Sequence, residues 1–252
     1  LKVVLFMKDN FSVQAKGYSK FRPGYPVEMI EYILSFVQSK ATALDVATGN
    51  GQVAGMLAEY FDEVYATDIS QNQLDNAVVK ENITYSLQKA EETNFADAQF
   101  DLITIAQAIH WFDFDAFYNE VFRILKNKGV IAVIGYGLFK TNQATDKIIS
   151  HFYHDITGPY WDPERRYLDE NYKTLPFPFT EIYTEKQFES KYTWTFDQLT
   201  GYLETWSAVQ HYIKKTNQNP LDSIRQELEE SWNKSDRKVT FPLLLRLGKL
   251  KA

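Results

Sequence analysis

Two aspartates and three glycines hold the clearest chemistry in this sequence. In "LDVATGNGQVAG" an apolar run carries Asp45, then turns through Gly49, Gly51 and Gly55 in a G-x-G-x-x-x-G spacing. Asp68 closes the next apolar run, 19 residues after Gly49. Glycines at a strand–helix turn let the backbone approach a ligand closely, and a carboxylate at the end of the following strand suits a ribose diol. The pair fits a nicotinamide dinucleotide or the adenosyl part of S-adenosylmethionine (SAM). A tight turn packed without any ligand is the plainer alternative, and Asp68, standing where a ligand acid is needed, weighs against it.

Three features favour SAM. Asp45, inside the leading strand, gives D-x-x-x-G-x-G; an acid there orients the loop and can engage the amino-acid end of the cofactor, whereas a pyrophosphate has no use for it. The run "FDLITIAQAIHWF" enters a distinctive turn, Gln107 to Phe112, at the strand edge where ligands bind. A dehydrogenase, finally, requires a proton relay. The Tyr85/Lys89 and Tyr136/Lys140 pairs have the right spacing but lie on strands or just past one, without the helix such a relay uses.

These residues need elements to hold them, and the pattern supplies a regular series. Tyr25–Val37 has helical apolar spacing, with Pro26 suited to a first turn. Strands follow at Thr42–Ala47, Glu63–Asp68, Ile83–Gln88, Phe100–Ala106 and Val130–Gly137. Helices are expected over Gly51–Phe61, from an N-cap at Ser70 through Lys80, and over Asp115–Lys126, the last closed by a turn with Gly129 at a C-cap-like position. Apolar strands alternating with helices imply a parallel sheet covered on both faces. From Lys140 to Ile182 the regularity breaks into a helix and a stretch rich in proline and aromatic residues, which reads as a lid or pocket wall. A strand at Lys191–Phe196, helices over Asp197–Lys214 and Leu221–Trp232, and a strand at Arg237–Leu247 finish the sheet in an antiparallel, hairpin-like way.

Composition narrows the function classes. The net charge of −6 disfavours non-specific binding to nucleic acid, which needs clustered lysine and arginine. The chain has no cysteine, so disulfides, zinc thiolates and cysteine nucleophiles are excluded. No stretch has the length of a membrane span, and the opening "LKVVLF" is too short for a signal-peptide core. Met7 is a candidate natural start, and the Asn82-Ile83-Thr84 sequon falls inside a strand and reads as chance. The expectation is a soluble cytoplasmic protein that meets a small molecule rather than nucleic acid or membrane; oligomeric state is not legible.

The segments "LDVATGNGQ", "YATDIS", "AEETNFADAQFDLITIAQAIHWFD" and "EVFRILKNKGVIAVIGY" together resemble the class I SAM-dependent methyltransferases. Within these the chain is similar to the small-molecule group that includes the trans-aconitate methyltransferase-like proteins. The flanks "YSKFRPGYP", "YWDPERRYLDENY", "TWSAVQHY" and "FPLLLRLGK" match too, so the likeness spans nearly the whole chain. Ala47 departs from it, since many relatives carry a glycine there. The resemblance implies one methyltransferase domain over residues 1–252: a doubly wound, mostly parallel seven-stranded α/β sheet with an antiparallel last strand and a helical, aromatic lid. Residues 1–40 would cover the cofactor, and residues 140–190 would form the lid.

The resemblance also implies roles. Ala47, Gly49, Asn50 and Gly51 would approach the methionyl end of SAM, with Asp45 holding the loop. Asp68 would take the ribose hydroxyls, Ile69 would pack on the adenine, and Ala90 and Glu91 would grip its edge; Glu91 as a solvated surface acid is the competing reading. Gln107 and Ala108 would line the sulfonium side. Tyr18, Arg22 and Tyr25 precede the sheet in a segment that folds over the cofactor in relatives, where Arg22 could meet a carboxylate. His110 is the candidate general base, if the acceptor is a hydroxyl or amine; a packed turn with Trp111 is the alternative. Trp111, Trp161, Arg165, Arg166 and Tyr172 are the candidates to face substrate, and an arginine pair beside aromatics suits a carboxylate, unless those arginines pair with neighbouring acids. Methylation of nucleic-acid bases or protein glutamine is disfavoured, because the turn after the fourth strand is "AQAIHW" and not Asn/Asp-Pro-Pro-aromatic. Two other functions stay open: an NADP-dependent oxidoreductase, and a catalytically idle SAM-binding protein.

Overall fold

The computed structural model describes residues 22–251. Strands β1 (Thr42–Val46), β2 (Glu63–Asp68), β3 (Ile83–Leu87), β4 (Phe100–Ala106) and β5 (Leu125–Tyr136) pair in parallel. They connect through helices α2 (Gln52–Leu57), α3 (Gln71–Asp75) and α4 (Phe114–Ile124), and α1 (Val27–Leu34) precedes them. The spatial order is β3-β2-β1-β4-β5-β8-β6, with β8 (Lys238–Lys249) antiparallel to both neighbours. Strands β6 (Thr180–Ile182) and β7 (Phe188–Thr193) share the outer edge of β8, β6 beside its end and β7 beside its start. The expected seventh position is thus filled by two short strands, and the last strand is antiparallel as the sequence indicates.

Both faces of the sheet are covered at its centre, which is why β1, β4 and the second half of β5 are buried almost throughout, while the edge strands β3, β6 and β7 keep exposed residues. On β5, Val130, Ala132 and Ile134 enter one core and Ile131 and Val133 the other. The first core is capped by α1, α2 and a helical group comprising α5 (Gln143–His151), α7 (Phe196–Glu204), α8 (Ser207–Thr216) and α9 (Arg225–Asn233). The second is capped by α4 and by the stretch after α6 (Arg166–Asp169), through Tyr172, Leu175 and Phe179. No helix among the described residues is long and apolar enough to cross a membrane.

Several expected boundaries move. Helix α4 runs straight into β5 at Leu125, whose pairing with Phe100 shifts register before Val130 meets Leu102. Gly129 therefore sits in an irregular stretch of strand and does not take the left-handed conformation of a C-cap glycine. Ser70 does cap a helix, accepting from the Gln73 amide, but that helix ends at Asp75 rather than Lys80. The helix expected over Asp197–Lys214 is two helices. Trp206 is extended at the break and buried against Phe152, Tyr153, Trp161 and Tyr202, a packing that a continuous helix does not provide. The strand expected at Lys191–Phe196 begins earlier, at Phe188, and β6 lies inside the stretch expected to be lid.

Candidate active site

Strand order reverses between β1 and β4, so the connections leaving these two strands diverge and open a crevice at their carboxyl ends. A cavity of about 1210 Å³ occupies that crevice. Its floor is the loop after β1. Ala47, Gly49 and Gly51 all have positive φ there, at 52°, 56° and 76°. A Cβ on Gly51 would come within 2.2 Å of the Tyr85 hydroxyl, so a side chain here would be strained by φ and would require the Tyr85 ring to move.

Asp45 holds the loop from beneath. Its Oδ2 accepts from Thr48 Oγ1 at 2.5 Å and from the Ala54 amide at 3.2 Å, and Oδ1 accepts from Thr104 Oγ1 at 2.7 Å. Burial pushes this carboxyl up to about 6 despite those three donors. Asp45 is not in the cavity wall, so its place in the structure is that of the loop's anchor and not of a direct ligand contact. Asp68 is in the wall, with Oδ2 accepting from the Gly49 amide at 2.8 Å and Oδ1 from the Ser70 amide at 2.9 Å. That carboxylate therefore stands at a fixed place beside the loop, two strands away from the turn after β4.

The other cofactor candidates divide as follows. Asn50, Ile69, Ala90, Glu91, Gln107 and Ala108 line the same cavity. Gln107 takes a positive φ of 57° and is locked by its amide donating to Ile134 O and its Nε2 donating to Tyr136 O. Glu91 accepts from the Asp113 amide through Oε1, while its Oε2 is buried without a partner. Arg22 reaches the cavity from the chain before α1, donating to the Tyr136 hydroxyl at 2.7 Å and to Thr205 O at 3.1 Å. Tyr18 lies outside the described residues.

At the far end, a short 3₁₀ turn over Ile109–Trp111 carries His110 and Trp111 into the wall. His110 is 5% exposed, packs on Trp111 at 4.8 Å, and has its Nδ1 buried with no hydrogen-bond partner. Burial, reinforced by the Arg165 charge, pulls the imidazole down to about 3, so the ring is neutral across the physiological range. A base serves best with a pKa near the working pH. This histidine is suited to orient a group by hydrogen bonding and is a poor proton store.

The lid candidates separate. Arg166 lines the cavity, lying over the Tyr167 ring at 4.8 Å and donating to its hydroxyl. Arg165 turns away: it lies 4.8 Å over Trp161, donates to the Tyr153 hydroxyl at 2.9 Å and faces Asp169 at 3.5 Å. Trp161 is part of that stack and donates to Tyr153 O. Tyr172 is fully buried against Gly135, its hydroxyl unpartnered. Trp161, Arg165 and Tyr172, expected to face substrate, are thus absent from the cavity wall. In their place stand Phe114, Glu164 and Tyr167, which the sequence reading did not single out. Pro163 offered a partial signal: it starts a 3₁₀ turn in which successive residues point about 120° apart, so Glu164 and Arg165 could not both face one side. Among the described residues, no three His, Asp or Glu side chains come together as metal ligands.

Comparison with known proteins agrees with this geometry. The family model described as a methyltransferase domain matches residues 44–133, the span from β1 through β5 that builds the loop and both carboxylate positions. A Dictyostelium discoideum protein named as a methyltransferase is 34% identical over 96% of this chain and 95% of its own length. A solved structure named as a type II methyltransferase, from Anaeromyxobacter dehalogenans, superposes with a TM-score of 0.83 at 35% identity, covering 92% of this chain and all of the other. A Saccharomyces cerevisiae protein named as an S-adenosylmethionine-dependent methyltransferase is 25% identical over 94% of both chains. With the parallel sheet, the glycine loop and the Asp68 carboxylate in their places, the chain belongs to the class I SAM-dependent methyltransferases.

Proposed function

We propose that this methyltransferase modifies a small molecule, held in the far end of the β1–β4 crevice between the His110–Trp111 turn and the segment around Glu164. The cavity volume carries the proposal. A single small ligand usually occupies roughly 300–1,000 Å³, so a crevice of about 1210 Å³ accommodates a cofactor with a second compact molecule beside it. The residues present fit an adenosyl group. Asp68 offers a carboxylate already fixed by two amides, Glu91 carries an orphaned buried oxygen, and Gly49, Ala90 and Ala108 keep the intervening wall low.

When bound, SAM supplies a methyl group on a sulfonium, ready for in-line displacement. The chain's contribution is alignment and the exclusion of water, and positioning of this kind is worth roughly 7–11 kcal/mol in favourable cases. On this reading Asp68 accepts the ribose hydroxyls, Ile69 packs on the adenine, and Gln107 and Ala108 face the reacting side. Residues 22–40 and 140–190 serve as covers over the two ends. The acceptor reacts through oxygen. A carboxylate arrives deprotonated and needs no base, which suits a histidine as weakly basic as His110; a hydroxyl would use the same ring as a hydrogen-bond acceptor. The finer likeness to the trans-aconitate methyltransferase-like group rests on "RPGYP" and "AIHWFD"; the arginine pair expected to anchor a carboxylate is reduced to Arg166, because Arg165 faces inward.

Calorimetric titration with S-adenosylhomocysteine (SAH), with NADP(H) in parallel, tests the reading. SAH is expected to bind at micromolar affinity and NADP(H) not at all. Asp68→Ala should weaken SAH at least 100-fold, since charge-assisted hydrogen bonds contribute about 1.5–3 kcal/mol each. Binding of NADP(H) instead of SAH would return the glycine loop to the dinucleotide reading.

A further inference from the structure

The wall of the acceptor end contains a carboxylate that no donor in the protein reaches, although its charge acts on Arg166 from beyond ion-pair distance. Glu164 lines the cavity, makes no hydrogen bond or ion pair, and has its Oε2 buried. One oxygen of this half-buried carboxylate has thus given up water for no hydrogen bond, an arrangement that folded proteins normally avoid unless a donor arrives from outside. Its neighbours in sequence are committed elsewhere. Arg165 is enclosed by Trp161, Tyr153 and Asp169, and Arg166 lies on Tyr167, outside ion-pair distance of Glu164.

Two further observations concern the same end. Trp111, Phe114 and Tyr167 line it with aromatic rings, and ring faces attract cations. His110 packs beside Trp111, more than nine-tenths buried with an unpartnered Nδ1, and its ring is neutral, so it adds no positive charge to the site. The turn that bears His110 packs directly against the turn that bears Glu164. The cavity as a whole has six carboxylates in its wall against three cations, Arg22, Lys89 and Arg166.

We infer that the acceptor carries a cationic nitrogen, seated beside the Glu164 carboxylate among the Trp111, Phe114 and Tyr167 rings. The inference rests on the methyltransferase site proposed above and adds the charge of the molecule it takes. Glu164 acts as a specificity-determining residue: it selects the substrate by a group other than the oxygen that is methylated, and it takes no part in bond making.

The test is calorimetry on the SAH-loaded protein with three probes of one shape, phenethylamine, phenethyl alcohol and phenylacetate. The amine should bind about tenfold or more tightly than the alcohol, consistent with a charge-assisted contact. In Glu164→Gln that preference should vanish while SAH affinity stays unchanged, and Glu164→Asp should retain part of it. Equal binding of amine and alcohol, including no binding of either at millimolar concentration, overturns the inference, as does tighter binding of phenylacetate than of the amine. A Glu164→Gln protein that loses affinity for SAM but not for SAH also overturns it, because the carboxylate would then answer the cofactor's own cation. If SAH itself fails to bind, the failure belongs to the proposed function and not to Glu164.

Discussion

The stretch from β1 to β5 and the stretch from Lys140 to α9 face the same cavity, yet their side chains obey different constraints. In the first, a residue just past a strand end has nowhere to go but the crevice. Asp68, Ile69, Ala90, Glu91, Gln107 and Ala108 all follow or finish strands, and all line the cavity. In the second, short helical turns of changing pitch follow one another from Phe152 to Asp169, and each turn resets which residues face inward. Its aromatic residues largely build that region's own core: Tyr153, Trp161 and Trp206 pack on one another, with Arg165 lying over the first two. An abundance of Trp, Tyr and Arg in such a segment therefore reports first on how the segment is held together, and only secondarily on the cavity beside it.

The contrast can be broken at Asp45, where the first region depends on one buried carboxylate. Its folded pKa of about 6 lies above the ordinary 3.8, so the folded protein prefers the protonated acid. The stability linked to that preference is fully present below pH 3.8 and is lost as pH rises through about 6, amounting to roughly 3 kcal/mol. Asp45→Asn removes the titration. Its amide can keep accepting from Ala54 and donate to Thr104, whose hydroxyl is free to turn. Urea unfolding of both proteins from pH 4 to 7 should show the wild type gaining about 2.5 kcal/mol on the variant as pH falls. A difference independent of pH would show that the Thr48, Thr104 and Ala54 donors outweigh burial and keep the acid ionised.

A smaller effect is expected in the second region, at Tyr172. Its hydroxyl is buried with no partner, wedged over Gly135, and the ring belongs to the core behind β5. Removing an unsatisfied buried hydroxyl takes away a desolvation cost of about 1–3 kcal/mol in the extreme. Tyr172→Phe should thus leave stability unchanged or raise it by about 1 kcal/mol, with SAH and acceptor affinities unaltered. A selective loss of acceptor binding would restore Tyr172 to the site and blur the distinction between the two regions.

How much of this was legible follows from the same physics. The strand limits at Glu63–Asp68 and Phe100–Ala106 match the sequence reading residue for residue, because a short apolar run between flanking turns leaves a buried parallel strand little latitude. The glycine loop and Asp68 were legible for the same reason. Glu164 was not, although it adjoins the two arginines that drew notice: nothing local distinguishes the inward from the outward residue of a 3₁₀ turn until the stack on Trp161 is known. The helix break at Trp206 was hidden likewise, since it is set by aromatic partners 40 to 60 residues away in sequence.

Ala47 is the finest test, because it stands in the glycine loop where the family resemblance leads one to expect another glycine. At φ 52° it occupies the left-handed region that glycine normally fills. A side chain there costs roughly 1–2 kcal/mol, whereas glycine loses about 0.5–1 kcal/mol of extra chain entropy on folding. The strain is the larger of the two, so Ala47→Gly should stabilise the protein by about 0.5–1 kcal/mol and raise its Tm by roughly 1–3 °C. Because Ala47 also lines the cavity, SAH titration divides the outcomes further. Unchanged affinity with a higher Tm means the alanine is tolerated strain in a loop otherwise fixed by Asp45 and Asp68. Weaker SAH binding in the stabilised variant would mean that the methyl group contacts the ligand, and that contact would then be the reason the strain is kept.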